Sequence, residues 1–218
     1  MPKSKRNKTF HLTATKKKGR NAKEDLLQKV RDSVDQFSHA CVFSVDNMRN
    51  NLMKDLRQQL GNGRIFLGKN KVLQLALGRN ESEEYKDGLH FVSKKLTGNV
   101  GLLFTDQSVS DIVSLFKSAT IPEFARAGCV ATEDVNLSAG PLEQFIHSME
   151  PQLRQLGLPT TLKKGVIVLL SDHIVCKKGD TLTPEQARLL KLLNFTMAEF
   201  KVCLEAVWTK DGTFEEIS

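Results

Sequence analysis

The segment with the clearest chemical pattern is residues 63–70, which read GRIFLGKN. It comes close to the phosphate-binding pattern of nucleotide hydrolases, G-x-x-x-x-G-K followed by Ser or Thr. Asn70 stands where that pattern needs a hydroxyl group for magnesium. The four residues between the glycines also read as an apolar strand, whereas a nucleotide cradle needs an open turn with exposed N–H groups. The segment argues against nucleotide hydrolysis, and we expect no metal or other cofactor.

The same segment suits a different phosphate ligand. Gly68 allows the chain to turn at the end of a strand, and Lys69, Asn70 and Lys71 then present charges and an amide at the start of a helix. Such a helix start attracts the phosphates of a nucleic-acid backbone. The alternative is an ordinary strand–helix turn with solvated lysines.

Three further basic residues precede this segment on a predicted helix. Arg49 and Arg57 are eight residues apart, and Lys54 lies three residues before Arg57, so all three can share one helix face. We treat them as candidate RNA contacts. An ordinary solvated helix face is the alternative.

The other reactive residues form no catalytic or metal-binding pattern. Ser171, Asp172 and His173 are adjacent, whereas the members of a catalytic triad converge from separate elements. The four cysteines lie far apart in apolar runs and the five histidines are scattered, which predicts reduced core thiols and no zinc site. No pair of carboxylates is placed for acid–base chemistry. The sequence predicts no enzymatic activity.

Positive charge is concentrated at the amino end. The first twenty residues hold eight basic side chains and no acidic one; because the whole chain has a net charge of +7, the remainder has a net charge of −1. Such a segment cannot fold alone, which predicts a disordered basic arm that binds RNA or DNA by counterion release. A nuclear import signal at residues 2–6 is a compatible alternative. The candidate RNA contacts in the arm are Lys16, Lys17, Lys18 and Arg20.

The sequence contains no membrane signal. No run of about 18 apolar residues is present, and the basic amino end lacks the apolar core of a secretory signal. We therefore expect no membrane partner, and the reduced thiols predicted above are typical of an intracellular protein.

Helices and strands alternate through the first half of the chain. This alternation predicts an α/β layer in which helices cover a sheet. Helices are predicted at about residues 22–38, 48–60, 70–77 and from 109 onward, and strands at 40–45, 64–67 and 99–104.

The pattern changes near Thr120, after which glycine, proline and small residues are more frequent. Residues 165–170 and 174–177 flank a short polar segment and predict a β-hairpin. Thr183 followed by Pro184 predicts a helix start, and residues 201–208 predict a last strand.

Five segments, in this order, resemble the ribosomal stalk-base protein family, also called the uL10 or acidic P-zero family. They are Gly68–Lys71, Thr97–Thr105, Pro122–Gly128, Gly165–Asp180 and Leu189–Asn194. The resemblance implies an α/β RNA-binding domain that is interrupted by an inserted second α+β domain. The implied boundaries are a basic arm at 1–20, the RNA-binding domain at 21–120 together with 184–218, and the insertion at 121–183.

The resemblance also implies a function. The family binds the large-subunit rRNA region where translational GTPases dock. By resemblance, the RNA-facing positions are Lys69, Asn70 and Lys71, with Arg49, Lys54 and Arg57 beside them.

Two features differ from a ribosomal protein that carries the acidic stalk. The chain has the basic arm, and it stops at Ser218 where such a protein continues into helices that hold the acidic dimers. Both features resemble the assembly factors of this family, which occupy the same RNA site on nuclear pre-ribosomes and are later exchanged for the stalk-base protein.

The implied partners are large-subunit rRNA and other assembly factors, without acidic stalk dimers. The implied location is the nucleus and nucleolus, and shuttling to the cytoplasm is compatible with this role. Three alternatives stay open: a genuine stalk-base protein without its acidic tail, a degenerate nucleotidase, and a nonspecific basic chromatin protein.

Overall fold

The computed structural model of the chain describes residues 19–217. Most of the predicted basic arm, including its candidate contacts Lys16, Lys17 and Lys18, lies outside the described residues.

The helices and strands within residues 19–217 are as follows. The helices are α1 (Asn21–Gln36), α2 (Asn50–Gln59), α3 (Asn70–Leu77), α4 (Leu89–Lys95), α5 (Val109–Ser118), α6 (Glu150–Gln155) and α7 (Pro184–Leu192). The strands are β1 (His39–Asp46), β2 (Arg64–Phe66), β3 (Val100–Thr105), β4 (Ile121–Glu123), β5 (Val135–Leu137), β6 (Gly140–Pro141), β7 (Thr160–Lys163), β8 (Val166–Leu169), β9 (His173–Cys176), β10 (Ala198–Thr209) and β11 (Phe214–Glu216).

An antiparallel sheet in the order β11-β10-β1-β3-β2 forms the centre of the larger unit. β4 joins this sheet by pairing with residues 198–200 at the start of β10. β1 pairs with β10 from His39 opposite Thr209 to Asp46 opposite Lys201, and with β3 on its other side. Distant parts of the chain therefore share one sheet.

Both faces of this sheet are covered by helices. Alternate residues of β1 point to opposite sides. Val42 packs in the core that includes α1, α3 and α4, whereas Phe43 packs in the core that includes α2 and α5. A strand that is buried on both faces has no polar side, which explains the continuous apolar sequence of β1. These three layers confirm the predicted α/β class.

The residues between β4 and β10 form a smaller unit with its own core. Strands β6, β8 and β7 make a three-stranded antiparallel sheet, and β5 pairs with β9. Helices α6 and α7 pack with these strands around Phe145, Leu153, Ile167 and Leu189. This composition agrees with the expected inserted α+β domain.

The predicted hairpin at residues 165–170 and 174–177 is wrong. β8 pairs with β6 and β7, whereas β9 pairs with β5. Asp172, in the expected turn, accepts a hydrogen bond from the backbone N–H of Ala139 (2.7 Å). The two strands thus find partners elsewhere in the inserted unit, which their spacing in the sequence does not reveal. Helix α4 also had no predicted counterpart.

Helix α7 bears on where the inserted unit ends. Thr183 caps α7 as predicted, since its Oγ1 accepts a hydrogen bond from the N–H of Gln186 (3.2 Å). However, Leu189 and Leu190 of this helix are buried in the core of the inserted unit. We therefore propose that the insertion spans about residues 124–197 instead of 121–183.

Gly101 of β3 leaves the space that Phe43 of β1 fills. A Cβ atom at this position would lie 2.5 Å from Phe43 Cζ and 2.7 Å from Leu67 Cδ2. We expect Gly101→Ala to lower the free energy of unfolding by about 1–3 kcal/mol, because the methyl group overfills a closely packed core. Urea unfolding followed by the fluorescence of the buried Trp208 measures the change. Gly19→Ala is the control, since nothing lies within 4 Å of that position; equal stability of the two variants would contradict this expectation.

Candidate nucleic-acid interface

The turn between β2 and α3 places lysines at the start of a helix. Lys69 has an extended backbone, and its carbonyl oxygen accepts hydrogen bonds from the N–H groups of Val72 (2.8 Å) and Leu73 (3.2 Å). No side chain among the described residues caps this end of α3. The first N–H groups of the helix therefore point toward a position where the helix dipole favours negative charge.

The side chains at this turn are accessible to a ligand. Lys69 and Lys71 are both exposed. Gly68 brings the turn close to α1, because a Cβ atom there would lie 3.0 Å from Leu26 Cδ2. The turn therefore packs against α1 on one side, and Lys69 and Lys71 are exposed to solvent.

Asn70 joins this turn to a second loop. Its Nδ2 donates a hydrogen bond to the carbonyl oxygen of Gly98 (2.9 Å). Gly98 has a φ of 75°, which glycine adopts without strain. The carbonyl oxygen of Asn99 accepts a hydrogen bond from the N–H of Val45 (3.1 Å). Residues 68–71 and 97–99 thus form one surface, and Asn70 helps to position it.

A second group of cations lies at the outer edge of the sheet. Lys54 and Arg57 of α2 are exposed, and Arg57 lines a cavity of about 460 Å³ together with Lys29 of α1 and Arg64 of β2. The lining of this cavity holds no carboxylate from the described residues. We call Lys29, Arg57 and Arg64 the basic edge.

Sequence reasoning missed two members of the basic edge. Lys29 is one of several charged residues on α1, and Arg64 reads only as the first residue of a strand. Their proximity to Arg57 depends on α1 and α2 packing on opposite faces of the same sheet. No spacing along the chain indicates that arrangement.

Arg49 is not part of this exposed surface. Its Nε donates to Glu123 Oε2 (3.1 Å), and its Nη2 donates to the carbonyl oxygen of Phe124. Only 16% of the Arg49 side chain is exposed. The expectation that Arg49 shares a free face with Lys54 and Arg57 is therefore corrected: its guanidinium links the large unit to the start of the insertion.

The contact with Arg49 changes the pKa of the Glu123 carboxyl group. Burial acts to raise the pKa of Glu123, but hydrogen bonds from Arg49 and from the N–H of Phe124, with the nearby positive charges, outweigh it. The pKa of Glu123 is therefore lowered, and the pair is charged at neutral pH.

The reactive groups of the described residues show no catalytic arrangement. Burial raises the pKa of the Cys41 thiol to about 12, so this thiol stays protonated. Asp172 bonds to a backbone N–H and does not meet a histidine and a serine as a triad would. Within residues 19–217 no cluster of His, Cys, Asp and Glu could hold a metal ion, and no helix could cross a membrane.

Comparison with known proteins identifies the fold. The family model for ribosomal protein L10 matches residues 18–120, and a second model, for the insertion domain in the 60S ribosomal protein of the same family, matches residues 125–195. The ribosome assembly factor mrt4 of Neurospora crassa is 42% identical over 227 residues, covering 96% of this chain and 90% of that protein. The chain belongs to the ribosomal protein L10 family.

Two relatives from Saccharomyces cerevisiae represent different kinds of L10-family protein. The ribosome assembly factor MRT4 is 36% identical, and the alignment covers 99% of this chain and 97% of that protein. The large ribosomal subunit protein uL10 is 29% identical, covering 89% of this chain and 62% of that protein. These relatives are named as an assembly factor and a ribosomal protein, not as enzymes.

Replacing Arg49 tests its structural role. We expect Arg49→Met to lower the free energy of unfolding by about 1–2 kcal/mol at neutral pH, because the half-buried Glu123 carboxylate loses its partner. Since the pKa of Glu123 is lowered in the folded chain, its contribution to stability is fully present above the ordinary value of 4.5 and is lost as the pH falls from there through the lower pKa of the folded chain. The difference from wild type should therefore shrink at about pH 3.5.

Urea unfolding at both pH values measures this difference. Lys54→Met is the matched control, because Lys54 is an exposed cation on α2. If the control loses as much stability as Arg49→Met, or if neither variant loses any, the contact of Arg49 with Glu123 does not stabilise the fold.

Proposed function

We propose that this chain is a ribosome assembly factor that binds large-subunit ribosomal RNA. The observation that carries the proposal is the joined surface of residues 68–71 and 97–99, where Lys69 and Lys71 flank the uncapped end of α3. Backbone N–H groups at a helix start, together with lysine side chains, bind nucleic-acid phosphates. The relatives that are named ribosome assembly factors support the role.

The proposed RNA site is the one that uL10 occupies at the base of the stalk. In this proposal the chain is a temporary occupant of nuclear and nucleolar pre-ribosomes and is later replaced by uL10. The similarity to uL10 over 89% of this chain supports it, because related surfaces bind related RNA. Two proteins that use the same phosphates cannot be bound together.

The basic edge extends the proposed surface along β2. From Arg64 to Lys69 the chain runs over five residues, or about 16 Å of extended backbone. Cations at the two ends of this path therefore neutralise separate phosphates. Lys54 and Arg57 remain candidate contacts, whereas Arg49 does not.

The basic arm adds charge to the same RNA in this proposal. Lys16, Lys17 and Lys18 contribute through counterion release. Arg20 forms an ion pair with Glu24 (2.7 Å), but both side chains are largely exposed. Such a pair is weak in water, so Arg20 can exchange Glu24 for a phosphate.

The proposed mode of action is binding, without a catalytic step. The other partners proposed are assembly factors on the same pre-ribosomal particle, and the proposed location is the nucleus and nucleolus. The names of the relatives support this proposal. The contacts of two reactive groups also support it, because the Cys41 thiol is buried in the core and the Asp172 carboxylate accepts a hydrogen bond from the N–H of Ala139.

Lys69 provides the direct test of the phosphate surface. We expect Lys69→Ala to weaken binding to a stalk-base rRNA fragment and to reduce the slope of log affinity against log salt by about 1, because one phosphate contact is lost. Titrations at several salt concentrations measure both quantities. Lys163→Ala removes an exposed lysine from the inserted unit and is the matched control. If Lys69→Ala behaves like the control, residues 68–71 are not the phosphate site.

Mutual exclusion tests the temporary occupancy. Pre-ribosomal particles purified through a tag on this chain should lack uL10, because one set of phosphates cannot serve both proteins. Quantitative mass spectrometry of the particles measures the ratio, and particles purified through a core large-subunit protein are the control. Equal amounts of this chain and uL10 on the same particles would refute temporary occupancy and leave RNA binding possible at another site.

A further inference from the structure

A cleft of about 670 Å³ opens beside the turn at residues 68–71, between the large sheet and the inserted unit. One wall belongs to the large unit and includes Val45, Met48 and the loop at 98–100. The other wall is the turn at 126–129 of the inserted unit. Gly68 and Asn70 line the cleft as well, so the cleft is continuous with the proposed phosphate surface.

Hydrogen bonds hold both walls in place. The N–H of Gly128 donates to the carbonyl oxygen of Leu182 (2.8 Å), and the N–H of Leu182 donates to that of Cys129 (2.8 Å), which fastens the turn to the inserted core. On the opposite wall, Asn47 Nδ2 donates to the carbonyl oxygen of Glu199 (3.0 Å). The cleft is therefore formed by the fold itself.

The lining offers an apolar floor and polar groups at its rim. Val45, Leu67 and Met48 supply apolar surface, and Met48 is 39% exposed. Asn99 and Arg126 are exposed at the rim and supply an amide and a guanidinium group. A volume of this size lies within the range of about 300–1,000 Å³ that is typical of ligand sites.

The charge of the lining distinguishes this cleft from its neighbour. Arg126 is its charged residue, and no carboxylate of the described residues lines it. The adjacent cavity of about 610 Å³ is lined by Asp46 and Glu199 as well as Lys201. An anionic ligand with an apolar part is therefore favoured by the first cleft, whereas the carboxylates of the second cavity disfavour it.

We propose that the cleft receives one unstacked nucleotide of the bound RNA, with its base on the apolar floor and its phosphate toward Arg126. This inference rests on the proposed RNA binding. Proteins recognise RNA sequence chiefly at unstacked bases, which present a flat face and a hydrogen-bonding edge. A strand whose phosphate contacts Lys69 has its neighbouring nucleotide beside Gly68 and Asn70, at the mouth of the cleft.

The proposal gives the inserted unit a direct part in RNA recognition. Its turn at 126–129 supplies one wall and the cation, whereas the large unit supplies the floor. In this proposal the bound RNA must present one unpaired nucleotide beside the phosphate that contacts Lys69.

Filling the cleft tests the proposal. Ala127 is exposed and lines the cleft, so Ala127→Trp blocks it without entering a core. Ala139→Trp, at an exposed position of the same unit outside the cleft lining, is the matched control. Met48→Glu, which places a carboxylate on the apolar floor, is a second blocking variant. Each full-length variant is titrated with a stalk-base rRNA fragment at several salt concentrations, and the base edges of the RNA are probed chemically in each complex.

We expect Ala127→Trp and Met48→Glu each to weaken binding by about tenfold, because the base loses its buried apolar contact with the floor of the cleft. For Ala127→Trp the salt slope should stay unchanged, because no phosphate contact is removed. One base that the wild-type chain and Ala139→Trp protect should become reactive in both blocked complexes.

Wild-type affinity and an unchanged protection pattern in both blocked variants would overturn the cleft and leave RNA binding intact. An equal loss in Ala139→Trp would also overturn it. A wild-type chain that binds a scrambled RNA equally well would overturn the proposed function and the cleft together.

Discussion

The pairing of β10 with both β1 and β4 is the interaction on which the rest of the structure depends. β10 is twelve residues long; its first three residues pair with β4, and most of the remainder pairs with β1. The chain therefore leaves the large sheet at Glu123 and returns to it at Ala198, which lie opposite one another in this pairing. An insertion attached by two neighbouring strands is restrained at both ends, and this restraint sets the turn at 126–129 against the loops of the larger unit.

Arg49 reinforces the same crossing. Its contacts with Glu123 and Phe124 lie where β4 ends and the insertion begins. The guanidinium is used within the fold, whereas Arg57 on the same helix region faces solvent at the basic edge. This helix thus has two different ends: Arg49 at its start links the two units, and Lys54 and Arg57 in its later turns are exposed cations. Arg49 and Arg57 are the same residue type, so the sequence alone does not show which of them is paired within the fold and which is exposed.

Local signals in the sequence were enough to predict the elements that carry the proposed phosphate surface. Gly68 and Gly78 bracket α3, and its observed bounds match the prediction. Ser108 caps α5, since its side chain accepts a hydrogen bond from the N–H of Asp111, and a serine three residues before an acidic residue is a helix-start signal that the sequence alone displays. Distant partners could not be predicted in this way. Arg49 meets a carboxylate 74 residues later, and the cleft needs two units whose contact no local pattern encodes. The hairpin expected at 165–177 failed for the same reason, since short apolar strands do not specify their neighbours.

The late position of β10 in the chain has a consequence for protein synthesis. Each residue of β1 pairs with one at least 155 positions later, as Asp46 does with Lys201. At roughly 5–20 residues per second, translation leaves β1 without this partner for roughly eight to thirty seconds. The strand pairs of the inserted unit are complete sooner, because they join residues between 135 and 176. During that interval the nascent chain exposes the unpaired edge of an apolar strand. Such edges are bound by chaperones and are prone to aggregate.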